Sequence, residues 1–287
     1  MLKNSYKPII INQKSTTMKK TVLVAAMLLT FIGAKAQTNI QEMYDFGRGH
    51  LTTTLEMFKG DNWGSTYFFV DIYHTNNMAP TDYYTEIART INFWGRNTSI
   101  GDNFVNNLSL HVEWNGGCGI YTFNDAEGNP IPNAWGGYPV NNAWLAGIEY
   151  FIANNDFSQR LTLEVLYKNI RGYKWNYNTM STFDKTANVP LQFTAVWGID
   201  NLFGVRGLSF CGFADFWWEN NSWDNQDGTY TNTTTTFLTE PQLWYQVGRH
   251  FGCDNLNIGG EIEIAHNFAG AGLGWTVKPC FGIKWGF

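Results

Sequence analysis

Residues 278–287, KPCFGIKWGF, decide how this chain is read. Phe281, Ile283, Trp285 and Phe287 fall at every second position, with Cys280, Gly282, Lys284 and Gly286 between them. In a β-strand that spacing puts four large apolar side chains on one face and small or charged groups on the other. An exposed strand of this kind aggregates unless something covers it. The fold must therefore supply a cover for a strand at the very end of the chain.

The other end bears on what that cover is. Residues 18–36, MKKTVLVAAMLLTFIGAKA, have a basic start at Lys19 and Lys20, an apolar run from Thr21 to Ile32, and small residues at Ala34 and Ala36. This is the layout of a secretory signal peptide, with an apolar run too short to span a bilayer. Cleavage is expected between Ala36 and Gln37, with Met18 as the start and residues 1–17 as an upstream extension. Residues 1–36 carry six lysines and no acid. The mature chain 37–287 then has 13 basic against 24 acidic side chains, a formal charge of −11. Such a balance speaks against nucleic acid as a partner, because phosphate contacts need clustered Lys and Arg.

Aromatic residues make up 17% of the chain and charged residues only 15%, against about a quarter charged in a soluble domain. After Ile32 no apolar run approaches the ~20 residues of a membrane helix. Two classes remain: a secreted β-sandwich, with carbohydrate binding as one use, or an outer-membrane β-barrel. Alternation recurs along the mature sequence, as in Leu108–Trp114, Leu161–Lys168, Phe68–Tyr73 and Glu261–Ile264. Either class alternates in this way, so the pattern alone does not choose.

Connection lengths separate them. Strands are expected near 39–47, 49–58, 64–74, 83–93, 105–115, 143–152, 160–170, 190–199, 207–217, 237–247, 257–266 and 274–287. Fairly short links then alternate with mostly longer, Asn-, Gly-, Thr- and Trp-rich ones at 75–82, 116–142, 171–189, 218–236 and 267–273. An up-and-down barrel alternates in this way because its two rims face different compartments. The expectation is an all-β, antiparallel transmembrane barrel of about 12 strands, in the outer membrane of a Gram-negative bacterium. The terminal strand closes against the first, and its apolar face meets outer-membrane lipid. Phe281, Ile283, Trp285 and Phe287 also have the form of a signal for the barrel-insertion machinery. Trp94, Trp114, Tyr150, Tyr167, Trp197 and Trp285, near strand ends, suit interfacial girdles.

Two islands carry a family resemblance. YDFGRGHLTTTLEMFKGDNWGSTYFFVDIYH (44–74) resembles the opening strands of the Tsx-like nucleoside-specific channels, with Lys59 and Trp63 in the tight turn and Asp71 closing the aromatic strand. GLSFCGFADFWWENN (207–221) is similar to a later strand of that family in its pattern of Gly212, Phe213, Phe216 and Trp218. The resemblance implies a monomeric twelve-stranded channel passing nucleosides by diffusion. Of the family's lumenal aromatics, it carries over Phe213, Phe216 and Trp218.

On the face opposite the apolar one, the lumen candidates for solute contact are Tyr67, Phe69, Asp71, Tyr73, Glu113, Phe213, Asp215, Trp217 and Glu240. Aromatic faces stack on planar bases, and carboxylates accept hydrogen bonds from hydroxyl and amino groups. In a small barrel the same residues also serve simply as filling, with acids paired to Arg160, Lys168, Lys278 and Lys284. No enzyme chemistry is expected. Ser109, His111 and Glu113 share a strand face, but same-face neighbours lie ~7 Å apart, too far for a serine–histidine hydrogen bond. No Gly-x-Ser-x-Gly occurs. Cys118, Cys211, Cys253 and Cys280 show no metal-ligand spacing, so no cofactor or metal is expected. A barrel that binds partners without transport, or acts as a hydrolase, is the alternative role.

Overall fold

The computed structural model describes residues 37–74, 78–94, 104–125, 127, 129–171, 173–176, 181–184, 188–225 and 227–287. The expected upstream extension and signal peptide, residues 1–36, lie outside them. The described residues form fifteen strands: β1 (Gln37–Asp45), β2 (His50–Asp61), β3 (Gly64–His74), β4 (Pro80–Ile91), β5 (Leu108–Asn124), β6 (Pro130–Ala153), β7 (Gln159–Ile170), β8 (Tyr173–Asn176), β9 (Ser181–Asp184), β10 (Leu191–Ile199), β11 (Leu208–Asp224), β12 (Tyr230–Thr239), β13 (Gln242–Tyr245), β14 (Leu256–Phe268) and β15 (Gly272–Gly286). All pairings are antiparallel. No helix among the described residues is long and apolar enough to cross a membrane.

β12 and β13 are two pieces of one wall strand. Leu238 pairs with Ala265 and Gln242 with Glu261, so the register runs on unbroken past Pro241. Proline lacks an N–H and interrupts the ladder there. β8 and β9 form a hairpin of their own outside the wall. Twelve wall strands remain, and the sheet closes because β15 pairs with β1 from Asn39↔Gly286 to Asp45↔Cys280. Closure leaves no edge. Chain order and spatial order coincide, as in an up-and-down barrel, and the two ends of the wall, Gln37 and Gly286, sit at one rim because the strand count is even.

The wall is inside-out relative to a soluble domain. Along β15, Leu273, Trp275, Val277, Pro279, Phe281, Ile283 and Trp285 are all exposed, while each residue between them is at least partly covered. Leu110, Val112, Ile148, Leu163, Val165 and Phe193 continue the apolar outer face on β5, β6, β7 and β10. Exposed rings mark both ends of this belt: Trp63, Trp94 and Trp285 toward the termini, and Tyr44, Trp144, Tyr167 and Trp275 toward the other rim. Burial runs the other way. Gln41, Asp45, Ser109, His111, Glu149, Glu164 and Lys168 are among the most buried side chains.

Curvature this tight needs glycine at particular places. A Cβ on Gly282 would meet the backbone oxygen of Glu42 on β1, and one on Gly147 would meet that of Val165 on β7. These positions bring adjacent backbones closer than any side chain allows.

Two expected loops are strand instead. Much of 116–142 is a hairpin that carries β5 and β6 onward as far as Asn124 and Pro130, and much of 218–236 extends β11 and β12. The threonine run 231–236, read as solvated loop, lies within β12. Threonine is a good strand former. Apolar alternation fades in these extensions, which the composition made look like loop.

Candidate functional site

The barrel encloses a cavity of about 360 Å³. Its wall comes from side chains that the two-residue period turns inward on successive strands. Of the expected lumen residues, Tyr67, Phe69, Asp71, Tyr73, Glu113, Phe213, Asp215 and Glu240 all line it. Trp217 faces inward but does not line it. Its indole is 3% exposed, donates to Glu219 Oε2 at 2.8 Å, and carries the Lys168 ammonium 4.2 Å above its ring.

The pattern Gly212–Phe213–Phe216–Trp218 does not stay on one face. Phe213 lines the cavity, whereas Phe216 stands at an outward position and packs edge-on against Trp218 at 4.9 Å. Positions 213 and 216 differ by an odd number, so a strand must send them to opposite sides. Arg160 is also not in the lumen: it pairs with Asp200 at 2.7 Å beside the rim that holds the termini.

Charge dominates the cavity. Among the described residues, eleven carboxylates line it, against Arg48 and His111 as the basic side chains. Arg48 bridges two of them, Asp45 at 2.6 Å and Glu263 at 2.7 Å. His111 stands among three, with Nε2 3.0 Å from Glu113 and Nδ1 3.4 Å from Glu149 and 3.7 Å from Glu164. Five more are held by neutral donors. Thr54 donates to Asp71 and Thr194 to Asp215, both at 2.5 Å; Tyr84 donates to Glu86 at 2.6 Å and Gln242 to Glu261 at 2.9 Å. Asn39 and Gln41 donate to Glu56 at 3.1 and 3.4 Å. The eleventh, Glu240, bonds no side chain among the described residues.

Hydroxyl and amide donors orient a carboxylate without cancelling its charge. Acidic side chains outnumber basic ones in the lining by eleven to two. Among the described residues, neither inward lysine bonds one of these acids. Lys168 lies on Trp217 and donates to Gln192 Oε1 at 2.7 Å, and Lys284 lies 4.2 Å above the ring of Trp244. His111, Glu113 and Glu164 place one ligand atom each within 4.8 Å of one another, the spacing a metal ion would need. Both imidazole nitrogens already face carboxylates, so the cluster is also satisfied as an internal ion pair.

Several lining residues went unread in the sequence. Glu86 follows the same period as Tyr84, Ala88 and Thr90 on β4, but Thr85 and Arg89 on the opposite side blur the contrast. Arg48 reaches in from the turn 46–49, where no period applies. The four cysteines are free thiols.

Residues 36–287 match the model of a family described as a domain of unknown function, DUF5020. No curated protein matches the sequence. Similar solved structures include the KdgM porin (9% identity, 88% of this chain and 99% of that one, TM-score 0.43). The NanC porin aligns at 8% identity over 86% of this chain and 98% of its own, with a TM-score of 0.48. Omp33, an outer-membrane protein of Acinetobacter baumannii, aligns at 10% identity over 88% and 98%, with a TM-score of 0.37.

Proposed function

The chain belongs to the DUF5020 family, and we propose that it works there as an outer-membrane channel for passive passage of small solutes, nucleosides among them. One observation carries the reading: a closed barrel whose outside is apolar and whose inside is a polar cavity. A surface of this kind is stable where lipid lies outside and water inside. Export through a signal peptide cleaved after Ala36 and folding by the barrel-insertion machinery belong to the same reading.

The lining gives the solute preference. Eleven carboxylates repel anions, so nucleosides pass in preference to nucleotides. Tyr67, Phe69, Tyr73 and Phe213 offer faces for a planar base, and stacking tolerates different bases. Asp71 and Asp215 offer acceptors to ribose hydroxyls and base amino groups. Passage needs several weak contacts in series rather than one tight pocket, which suits a lining spread over many strands.

The test is conductance of the purified protein in a planar bilayer, with adenosine and thymidine titrated in and glucose as control. Saturable block by the nucleosides alone supports the reading, and conductance with no block refutes the nucleoside preference. Phe213→Ala and Asp71→Ala are each expected to weaken nucleoside block about tenfold, the scale of one lost stacking or charged hydrogen-bond contact. The boiled-against-unboiled gel shift of a folded barrel should stay as in the wild type. Block of unchanged strength in both variants would remove these two residues from the solute path.

A further inference from the structure

Gln41 presents a buried carbonyl oxygen with nothing bound to it. The residue is 1% exposed and lines the cavity, and among the described residues its Oε1 has no hydrogen-bond partner. The amide orientation is fixed, because the Nε2 end donates to Asn39 Oδ1 at 2.9 Å and to Glu56 Oε2 at 3.4 Å, both acceptors. A buried acceptor left unpaired is unfavourable by about 1–3 kcal/mol. What would satisfy it is a donor entering from the cavity.

The surroundings say which kind of donor. Glu56 lies beside Gln41, and its two oxygens accept only from the neutral amides of Asn39 and Gln41. Cross-strand pairing places Phe69, whose ring lines the cavity, opposite Glu56. The protein's own nearby cation does not fill the position: Lys284 is the β15 partner of Gln41, yet its ammonium rests on the Trp244 ring. Elsewhere the same lumen shows how it holds an ammonium. Lys168 is gripped by the Gln192 carbonyl and the face of Trp217. Gln41 repeats the glutamine carbonyl and Phe69 the aromatic wall, and Glu56 adds a carboxylate beside them.

We propose that the lumen binds a primary ammonium group between Gln41 Oε1 and the Glu56 carboxylate, so that small organic amines are a solute class of the channel. An ammonium brings three donors and no acceptor, which matches an unpaired carbonyl beside a carboxylate hydrogen-bonded by neutral amides. The aromatic wall favours a cation further. The transport meaning of this site rests on the channel reading above, whereas binding does not require conduction.

Calorimetric titration of the folded protein in detergent separates the two. Butane-1,4-diamine is expected to bind, and butane-1,4-diol, of the same length and uncharged, is not. Gln41→Leu and Glu56→Gln should each weaken diamine binding about tenfold or more, since a hydrogen bond to a charged group contributes ~1.5–3 kcal/mol. The boiled-against-unboiled gel shift should stay as in the wild type in both variants, which guards against a folding defect as the cause of lost binding. Diol binding as tight as diamine binding, or diamine binding unchanged in Gln41→Leu and Glu56→Gln, would overturn the proposal. A barrel that binds diamine but does not conduct would instead overturn the channel reading and leave the site standing.

Discussion

Arginine in place of Val165 is expected to lower the folding stability of the barrel in lipid vesicles by about 2–4 kcal/mol, the effect of a basic side chain at the middle of a lipid-facing wall. Val165 sits midway along β7 and is exposed. Its cross-strand neighbours Ile148 and Phe193 are apolar and exposed as well, so no partner waits for the charge. Moving the same substitution one position, Glu164→Arg, sends the side chain into the lumen, where carboxylates surround it. Denaturant titration of the two variants in vesicles measures the difference. The large loss belongs to the outward position. Equal losses at 164 and 165 would mean that the wall does not separate lipid from lumen as described.

Removing Phe287 is expected to leave most of the protein unfolded or outside the membrane. The backbone N–H of Phe287 donates to Thr38 O at 2.9 Å, just beyond the last register pair of the closing seam. Its ring is 74% exposed at the end of the outward row Phe281, Ile283 and Trp285. The deletion therefore takes away the last bond that zips β15 to β1 and the terminal aromatic of the row we assign to the insertion machinery. Phe287→Tyr keeps both features and should assemble normally. Counting the heat-modifiable band in membranes checks this. If the deletion assembles as well as the wild type, the terminal residue has no part in insertion.

Much of the wall was legible in the sequence because lipid outside and water inside force a two-residue period. The alternation of 278–287, of Leu161–Lys168 and of Leu108–Trp114 marked strand, face and termination together. The period also gave the lumen: eight of the nine expected residues line one cavity. It failed where one of its two environments is missing. Beyond the apolar belt, the hairpin extensions of β5–β6 and β11–β12 have no lipid to demand apolar residues, so strand looked like loop. It failed again where function rests on contact rather than on period. Nothing in the sequence says that Gln41 keeps a free carbonyl, that Lys168 and Lys284 lie on tryptophans, or that neutral donors hold five of the eleven carboxylates. Those facts replace the plain alternative, pairing of the acids with lysines. The family resemblance marked Phe213 as lumenal, but Phe216 and Trp218 belong to the outer face.

The most direct test of an acidic conduit through a lipid-embedded barrel is the zero-current potential of the protein in a planar bilayer under a KCl gradient. An ion-conducting lumen with eleven carboxylates and two basic side chains predicts a potential of the sign that marks K⁺ as the more permeant ion, weakening as salt screens the lining. A potential of the opposite sign, or no conductance across the bilayer, would contradict it.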